Sequence, residues 1–418
     1  MESADVLVVG AGPAGSTAAY ELARRGHDVL VVEEHGTVGR PVQCAGLVSD
    51  RALTLAGSRA SVRRPVHGAG VFGPSRRGIE FRAETPRAYA IDRAGLDREL
   101  AERAVRAGAR LRAGVAFRGR TGSDGGGRER VLLRGPSGSL EEAAVRLVIG
   151  ADGVASGVAR AYRLRRPVEI LPAFEAEYAE SPGDPDRVEV YLSQRFAPGL
   201  FGWWIPDGAG GARIGLAAHA DGTSARRYFE RLAGYLAERF GRPLGTPTGY
   251  LASGIPIGNV PRTCTDRVLL VGDAAAQVKP LSGGGIFTGM RCAQIGAEVA
   301  DVALRTGDLS AGALAAYDRR WREEFGEEFS RALALRRIFV RLSDAELDRL
   351  IDTLRDSRLI GTIVAFGDID FPSHVARRLL AESPSLVRLL PKALSAWIGG
   401  DRDYRAPALD PPLETRRK

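Results

Sequence analysis

The stretch DVLVVGAGPAGSTAAYELARRGHDVLVVEE, residues 5–34, decides the fold of this chain. Residues 5–10 form a short apolar run typical of a buried strand, and residues 14–25 have the pattern of a helix that Gly26 ends. Residues 27–34 predict a second buried strand that runs parallel to the first. The stretch is therefore predicted to form a βαβ unit.

Three glycines between the first strand and the helix are typical of a dinucleotide-binding loop. Gly10 permits the tight turn, Gly12 lets the backbone approach a pyrophosphate, and Gly15 allows the helix to pack closely on the strand. Glu33 and Glu34 end the second strand, where a carboxylate is expected to bind the adenosine ribose. This loop by itself does not distinguish FAD from NAD.

A second glycine-rich segment, RVLLVGDAAAQVKPLSGGGI at residues 267–286, identifies the dinucleotide as FAD. It predicts a buried strand that ends in an aspartate able to bind a ribityl hydroxyl of an extended FAD. Three glycines before a helix would turn backbone N–H groups toward the flavin pyrimidine edge and stabilise negative charge there. The cofactor contacts predicted from the two segments are Gly10, Gly12, Ala14, Gly15, Glu33, Glu34, Gly272, Asp273, Pro280, Gly283, Gly284, Gly285 and Ile286.

The rest of the chain divides by its pattern into further units. Residues 92–107 have helical periodicity, residues 145–153 predict a third buried strand, and residues 165–260 alternate in short runs typical of an antiparallel sheet. From residue 331 helical patterns dominate. We predict an FAD-binding domain of residues 1–60, 90–160 and 262–330, a substrate domain of residues 61–89 and 161–261, and a C-terminal helical region of residues 331–418.

The composition limits the classes of protein to which the chain can belong. Its 418 residues are 44% hydrophobic and 26% charged, which is typical of a globular protein without membrane spans. Three cysteines without a CxxC pair and five scattered histidines predict neither a disulfide framework nor a metal site, and we expect a reducing cytoplasm. The net charge of +8 comes almost wholly from arginine. It indicates either a codon bias or attraction to anionic phosphates, and no motif for nucleic acid accompanies it.

Four motifs resemble those of the geranylgeranyl reductase family. They are GAGPAGS at 10–16, PVQCAGLVS at 41–49, IGADGVAS at 149–156 and GDAAAQVKPLSGGGI at 272–286. The archaeal-type members look most similar, and the segment GDIDFPS at 367–373 also resembles their C-terminal region. The resemblance implies an α/β fold: a Rossmann-like FAD-binding domain of the aromatic-hydroxylase type, an antiparallel-sheet substrate domain and a helical C-terminal region.

The same resemblance implies a function and further site residues. Family members use reduced FAD to saturate C=C bonds of isoprenoid chains on lipids, diphosphates or quinones. The electron donor would be NAD(P)H or a ferredoxin-type carrier. The cysteine that matches Cys44 lies near the flavin in the family, which makes it a catalytic candidate here. Ala45, Gly46 and Asp152 join Cys44 as implied cofactor contacts.

An aromatic motif in the predicted substrate domain matches the family only in part. The family pattern P-x-G-Y-x-W-x-F-P corresponds here to PGLFGWWIP at residues 198–206. Phe201 and Trp203 match by type and are predicted catalytic residues, but the tyrosine hydroxyl is missing at position 201. An aromatic wall of this kind suits a long hydrocarbon chain, and it is equally compatible with core packing.

Three other functions share some of these motifs. An FAD-dependent aromatic monooxygenase has the glycine loop and the Gly-Asp motif. A flavin halogenase has an aromatic motif similar to GWWIP, although it also needs an early lysine, and no lysine precedes Lys279. A non-enzymatic flavin-binding lipid carrier is the third.

Residues 386–398 are amphipathic, with Trp397 and basic residues as possible interfacial anchors. This segment predicts either peripheral membrane contact or ordinary packing between helices.

Overall fold

The computed structural model describes residues 1–123, 127–165, 167, 169–383 and 386. The strands are β1 (Glu2–Val9), β2 (Val29–Glu33), β3 (Leu47–Val48), β4 (Val62–Val66), β5 (Gly68–Phe72), β6 (Gly78–Arg82), β7 (Ala88–Ile91), β8 (Arg110–Ala113), β9 (Ala116–Ser123), β10 (Glu129–Arg134), β11 (Leu140–Gly150), β12 (Glu169–Tyr178), β13 (Arg187–Tyr191), β14 (Gly202–Pro206), β15 (Ala212–Ala217), β16 (Gly249–Ile257), β17 (Cys264–Thr265) and β18 (Val268–Leu270). The helices are α1 (Pro13–Ala23), α2 (Asp50–Ala56), α3 (Arg93–Arg106), α4 (Gly157–Ala161), α5 (Ala225–Phe240), α6 (Ile286–Thr306), α7 (Ala311–Phe339), α8 (Asp344–Leu354), α9 (Ser357–Phe366) and α10 (Pro372–Glu382), and a short 3-10 helix spans Gly272–Ala275.

The first sheet is built around the predicted βαβ unit. Its strand order is β17-β18-β11-β1-β2-β8, and the hairpin β9–β10 adds to β11. Strands β1, β2, β8, β11 and β18 run parallel. Their valine-rich runs are buried because helices α1 and α6 pack together on the sheet, as expected of parallel strands. The predicted α/β fold with a Rossmann-like domain is confirmed.

The second sheet is mostly antiparallel, as predicted for the middle of the chain. Its order is β16-β12-β15-β14-β13-β5-β6, and only the pair β13–β5 within this order is parallel. Helix α5 covers one face through Phe229, Leu232 and Leu236. The opposite face of this sheet faces the first sheet across a cavity.

Strands β3, β7 and β4 form a small third sheet. Strands β5 and β6, inside the predicted segment 61–89, belong to the second sheet, whereas β4 and β7 at the ends of that segment do not. Sheet membership alone does not fix where one domain ends and the next begins, so the predicted domain boundaries stay a prediction.

The C-terminal region is helical as far as it is described. Helix α7 buries Tyr317, Trp321, Phe325 and Phe329 against the first domain, and helices α8 to α10 follow it. Among the described residues, no helix is both long and apolar enough to span a bilayer. The amphipathic segment predicted at residues 386–398 lies outside the described residues, except for Leu386.

Candidate active site

A large cavity lies where the carboxyl ends of β1, β2 and β11 face the open side of the second sheet. Its volume is about 1930 Å³. Among the sequence-predicted residues, those that line it are Gly10, Gly12, Ala14, Glu33, Glu34, Cys44, Ala45, Gly46, Asp152, Phe201, Trp203, Gly272, Asp273, Gly283, Gly284, Gly285 and Ile286. The tertiary structure thus brings together segments that are more than 200 residues apart in the sequence.

The first glycine loop fits a bound diphosphate. Gly10 has φ +101°, and a Cβ on it would lie 2.4 Å from the Ala151 carbonyl oxygen. A Cβ on Gly15 would lie 2.0 Å from the Gly10 carbonyl oxygen, so Gly15 serves helix packing and does not line the cavity. At Gly12, by contrast, an added Cβ would meet no atom closer than Arg93, at 4.0 Å. The space above Gly12 is therefore open for the phosphates.

The carboxyl end of β2 presents the Glu33 carboxylate, which the sequence predicts as the ligand of the adenosine ribose. The Glu33 carboxylate accepts hydrogen bonds from the Ala11 N–H at 2.9 Å and the His35 N–H at 3.0 Å. These bonds hold it at the cavity edge. The neighbouring Glu34 side chain is 68% exposed, so of the two predicted acids Glu33 is the one fixed in place.

Arg93 is a site residue that the sequence prediction missed. It is the first residue of α3, and its guanidinium is held by Asp97 through bonds of 2.6 Å and 3.0 Å. It lines the cavity beside Gly12 and interacts with Cys44, so its positive charge faces the open space above Gly12, which suits an anionic group such as a phosphate. An arginine four residues before an aspartate at a helix start is too common a pattern to reveal this role.

The second glycine segment lines the same cavity as the first. Helix α6 begins at Ile286 behind Gly285, and no side chain caps its N-terminus. Its first N–H groups are therefore available to a ligand in the cavity. Half-buried Asp273 faces the same space, and burial raises the pKa of its carboxyl. Pro280 is buried and does not line the cavity, so the structure offers it no direct contact with a ligand there.

Asp152 has a structural task in addition to lining the cavity. Its carboxylate accepts hydrogen bonds from the Ser156 hydroxyl at 2.6 Å and from the Val158 N–H at 3.0 Å. It thereby holds the start of α4 against the edge of the first sheet. Asp152 therefore orients the loop at this side of the cavity.

The loop that carries Cys44 is fixed from the second sheet. The thiol of Cys44 accepts a hydrogen bond from the Gly46 N–H at 3.3 Å. Buried Arg213 of β15 donates to the carbonyl oxygens of Gly46 and Ile91, at 3.4 Å and 3.2 Å. The half-buried thiol is therefore held in the cavity between the two domains.

The second sheet supplies an apolar wall opposite the glycine loops. Trp203, Gly215 and Glu175 lie side by side on adjacent strands β14, β15 and β12. Because Gly215 has no side chain, the indole lies across it, and a Cβ there would be 2.6 Å from the ring. The indole N–H reaches Glu175 and donates to it at 2.7 Å. Phe201 packs edge-on against Trp203, with ring centroids 6.4 Å apart.

Glu175 lies beneath this wall and is almost completely buried. It is 1% exposed, and burial raises the pKa of its carboxyl to about 7, although the bond from Trp203 and the charge of Arg213 lower it. Sequence reasoning missed it because its role depends on a neighbour on another strand.

A segment of the C-terminal region closes the cavity on one side. The residues that line it there are Ile363, Val364, Gly367, Asp368, Ile369, Pro372 and Val375. Buried Lys279, next to the second glycine loop, forms an ion pair of 3.1 Å with Asp370 of this segment. The motif at 367–373, which resembles the C-terminal region of the reductase family, therefore belongs to the cavity wall.

Within the described residues, no group of three or more His, Cys, Asp or Glu side chains is placed to hold a metal ion. The fold and the site together define a flavoprotein. The model of the FAD binding domain family matches residues 3–324 of the chain.

Curated relatives identify the family more closely. Digeranylgeranylglycerophospholipid reductase 2 of Methanothermobacter thermautotrophicus is 36% identical over 401 residues, covering 92% of this chain and 98% of the relative. Digeranylgeranylglycerophospholipid reductase of Methanocaldococcus jannaschii is 33% identical over 392 residues, covering 92% and 96%. The chain belongs to the geranylgeranyl reductase family, as its motifs predicted, and is an FAD-dependent oxidoreductase.

Solved structures agree with this assignment. A geranylgeranyl bacteriochlorophyll reductase-like protein from Thermoplasma acidophilum has a TM-score of 0.81 at 26% identity, covering 94% of this chain and 100% of that one. A flavin-dependent brominase has a TM-score of 0.69 at 16% identity, covering 91% and 98%. At that identity the brominase shows the fold alone, so it does not support the halogenase alternative.

Proposed function

We propose that this protein saturates C=C bonds of an isoprenoid chain carried by a lipid, a diphosphate or a quinone. The observation that carries the proposal is the apolar wall of Phe201 and Trp203 opposite the flavin loop in one cavity. Its volume, about 1930 Å³, is about twice the ~1,000 Å³ of a large small-molecule pocket. The cavity therefore has room for FAD and a long chain together. The names of the curated relatives support the same substrate class.

The chain's own residues would position the alkene and exclude water. Bound FAD would supply the reducing equivalents. An unactivated alkene needs close alignment with the flavin, which an apolar wall provides through proximity and orientation. Cys44 lines the cavity and is our candidate to deliver the proton to the second alkene carbon. The predicted contacts of Phe201, Trp203 and Cys44 with substrate remain part of this proposal.

Product analysis tests the function. Protein reduced anaerobically with dithionite is incubated with geranylgeranyl diphosphate, a digeranylgeranyl phospholipid and a menaquinone. We expect mass gains in steps of two hydrogens for at least one of them. NADH, NADPH and reduced ferredoxin are then compared as donors. Exposed Arg118, Arg160 and Arg163 line the cavity and suit an anionic donor. Oxygen incorporation into an aromatic substrate, with no change in the isoprenoids, would favour the monooxygenase, and bound but unchanged isoprenoids would favour the carrier.

Replacing Trp203 by alanine should lower kcat/KM for a long isoprenoid by roughly 10- to 100-fold. Losing the apolar contact of one large side chain costs ~1.5–3 kcal/mol. The affinity for FAD should change less than about twofold, which a titration of the apoprotein measures. The matched control is Trp204→Phe, because Trp204 faces the opposite side of the same strand and is buried against α5. Equal losses in both variants would contradict a substrate role for Trp203.

We also propose that the protein works at the cytoplasmic face of a membrane, which it would meet through α9 and α10, two helices that help to line the cavity. Ile363 and Val364 line the cavity, and Phe366 is 45% exposed. Exposed Arg378 on α10 lies over the Phe366 ring, and exposed Arg377 is its neighbour on the helix, so both would meet lipid phosphates at such a surface. The three cysteines are free thiols, as in proteins of a reducing compartment.

Sedimentation with vesicles tests the membrane proposal. Wild-type protein should bind anionic phospholipid vesicles more tightly than neutral ones. The double variant Arg377→Glu/Arg378→Glu should lose about tenfold or more, since each basic residue near the surface is worth ~1 kcal/mol. Arg226→Glu on α5 changes an arginine that is 71% exposed elsewhere and serves as the control. Equal loss in the control would show that net charge alone drives binding.

A further inference from the structure

Lys279 stands out first by its residue type. The chain has 59 lysine and arginine residues, and only Lys279, Lys392 and Lys418 are lysines. Among the described residues Lys279 is therefore the single lysine, and it is 5% exposed. A chain that uses arginine almost everywhere carries here the compact ammonium instead of the planar guanidinium. The use of lysine instead of arginine at position 279 indicates that the size and shape of the cation matter there.

The main chain of Lys279 closes the second glycine loop. Its N–H donates to the Gly284 carbonyl oxygen at 3.0 Å, and its own carbonyl oxygen accepts from the Gly283 N–H at 2.9 Å. The side chain then crosses the loop. A Cβ on Gly284 would lie 2.9 Å from its Cε and 3.1 Å from its Nζ. The ammonium therefore lies directly against the glycines that line the flavin end of the cavity, and Lys279 lines that cavity too.

The C-terminal segment holds this ammonium from the other side. Nζ donates to the Ile369 carbonyl oxygen at 2.6 Å and to the Asp370 carboxylate at 3.1 Å. Burial lowers the pKa of Lys279, and the charges of Asp370, Asp368 and Glu328 act against that change. Arg51 in turn contacts Asp368 at 2.9 Å and Asp370 at 3.5 Å. The ion pair is thus oriented, with its positive end toward the glycine loop and its negative end toward the segment.

We propose that Lys279 tunes the flavin: its ammonium favours the reduced, anionic cofactor over the oxidised one. A fixed positive charge in a water-poor site stabilises negative charge far more than it would in water. The partner residues Ile369 and Asp370 hold the ammonium in place, which couples the C-terminal segment to the electronic state of the flavin. The inference rests on the FAD site alone and not on the identity of the substrate.

A purely mechanical role of the ion pair makes a different prediction. If Lys279 only ties the C-terminal segment down, any change that loosens the segment should have the same effect. Ser373 provides such a change, because its hydroxyl donates to buried Glu328 of α7 at 2.5 Å without contributing a charge. Ser373→Ala therefore loosens the segment and leaves the charges around the loop intact.

The experiment compares the affinities of apoprotein for oxidised and for dithionite-reduced FAD, in the absence of substrate. The double variant Lys279→Met/Asp370→Asn removes both charges, so no buried charge is left unpaired. We expect its ratio of reduced to oxidised affinity to fall about tenfold, which corresponds to ~30 mV in the two-electron potential.

Ser373→Ala should keep the wild-type ratio while making the segment more sensitive to protease. A wild-type ratio in the double variant, or an equal fall in Ser373→Ala, would overturn the proposal. Neither result depends on isoprenoid turnover, so it leaves the proposed function untouched.

Discussion

Replacing Gly12 by valine is expected to abolish FAD binding while the apoprotein stays folded. The backbone at Gly12 is extended, with φ −71° and ψ −177°, which valine adopts readily. An added Cβ meets no atom closer than 4.0 Å, so the fold has room for the side chain. That room is the space we assign to the diphosphate, and filling it should weaken binding by at least about 100-fold, or ~2.7 kcal/mol. Fluorescence titration with FAD measures the affinity, and thermal unfolding of the apoprotein should show a change of only ~1 kcal/mol.

Gly15→Val is the matched control, one helical turn further on. Its Cβ would lie 2.0 Å from the Gly10 carbonyl oxygen, so the helix cannot keep its place on the strand. We expect this variant to lose most of its stability and to be recovered poorly. A Gly12→Val protein that binds FAD with wild-type affinity would refute the placement of the diphosphate.

The second prediction concerns the dependence of stability on pH. The pKa of Glu175 is about 7 in the folded protein, against an ordinary value of 4.5. The folded state therefore holds this proton more tightly than the unfolded state does. Glu175 contributes fully below pH 4.5, and this contribution is lost as the pH rises through about 7. Glu175→Gln keeps an acceptor for Trp203 but cannot ionise, so it should be more stable than wild type by ~1–3 kcal/mol at pH 8.

Urea unfolding with saturating FAD at pH 5 and pH 8 measures this difference. At pH 5 the difference should fall below ~1 kcal/mol, because Glu175 is protonated in the folded state and the unfolded carboxyl is only just above its ordinary pKa of 4.5. Glu180→Gln, in the exposed turn just after the same strand, should change the free energy of unfolding by less than ~0.5 kcal/mol at either pH. A Glu175→Gln effect of the same size at both pH values would mean that Glu175 does not titrate in this range.

Much of the cofactor site follows from local sequence. The residues of the loop at 10–15 are dictated by its own backbone, because Gly10 needs a positive φ and Gly15 a contact that excludes a side chain. The strand before the loop and the helix after it have unambiguous patterns. The second segment, at 272–286, is predictable for the same reason, except that Pro280 is buried away from the cavity.

Two of the residues that sequence reasoning missed, Glu175 and Lys279, depend on partners far along the chain. Glu175 matters because Gly215 leaves space for Trp203 to reach it across a strand. Lys279 matters because Asp370 lies beside it, 91 residues later in the chain. No local pattern contains either pair.

The sequence by itself determined the βαβ unit, the FAD cofactor and the family, because these depend on backbone conformation and on short motifs. Only the tertiary structure decided where Arg93, Glu175 and Lys279 lie relative to the cavity. The electrostatic effect of each of these groups depends on its burial and on the residues around it. Both are set when the two sheets and the C-terminal helices pack around one cavity.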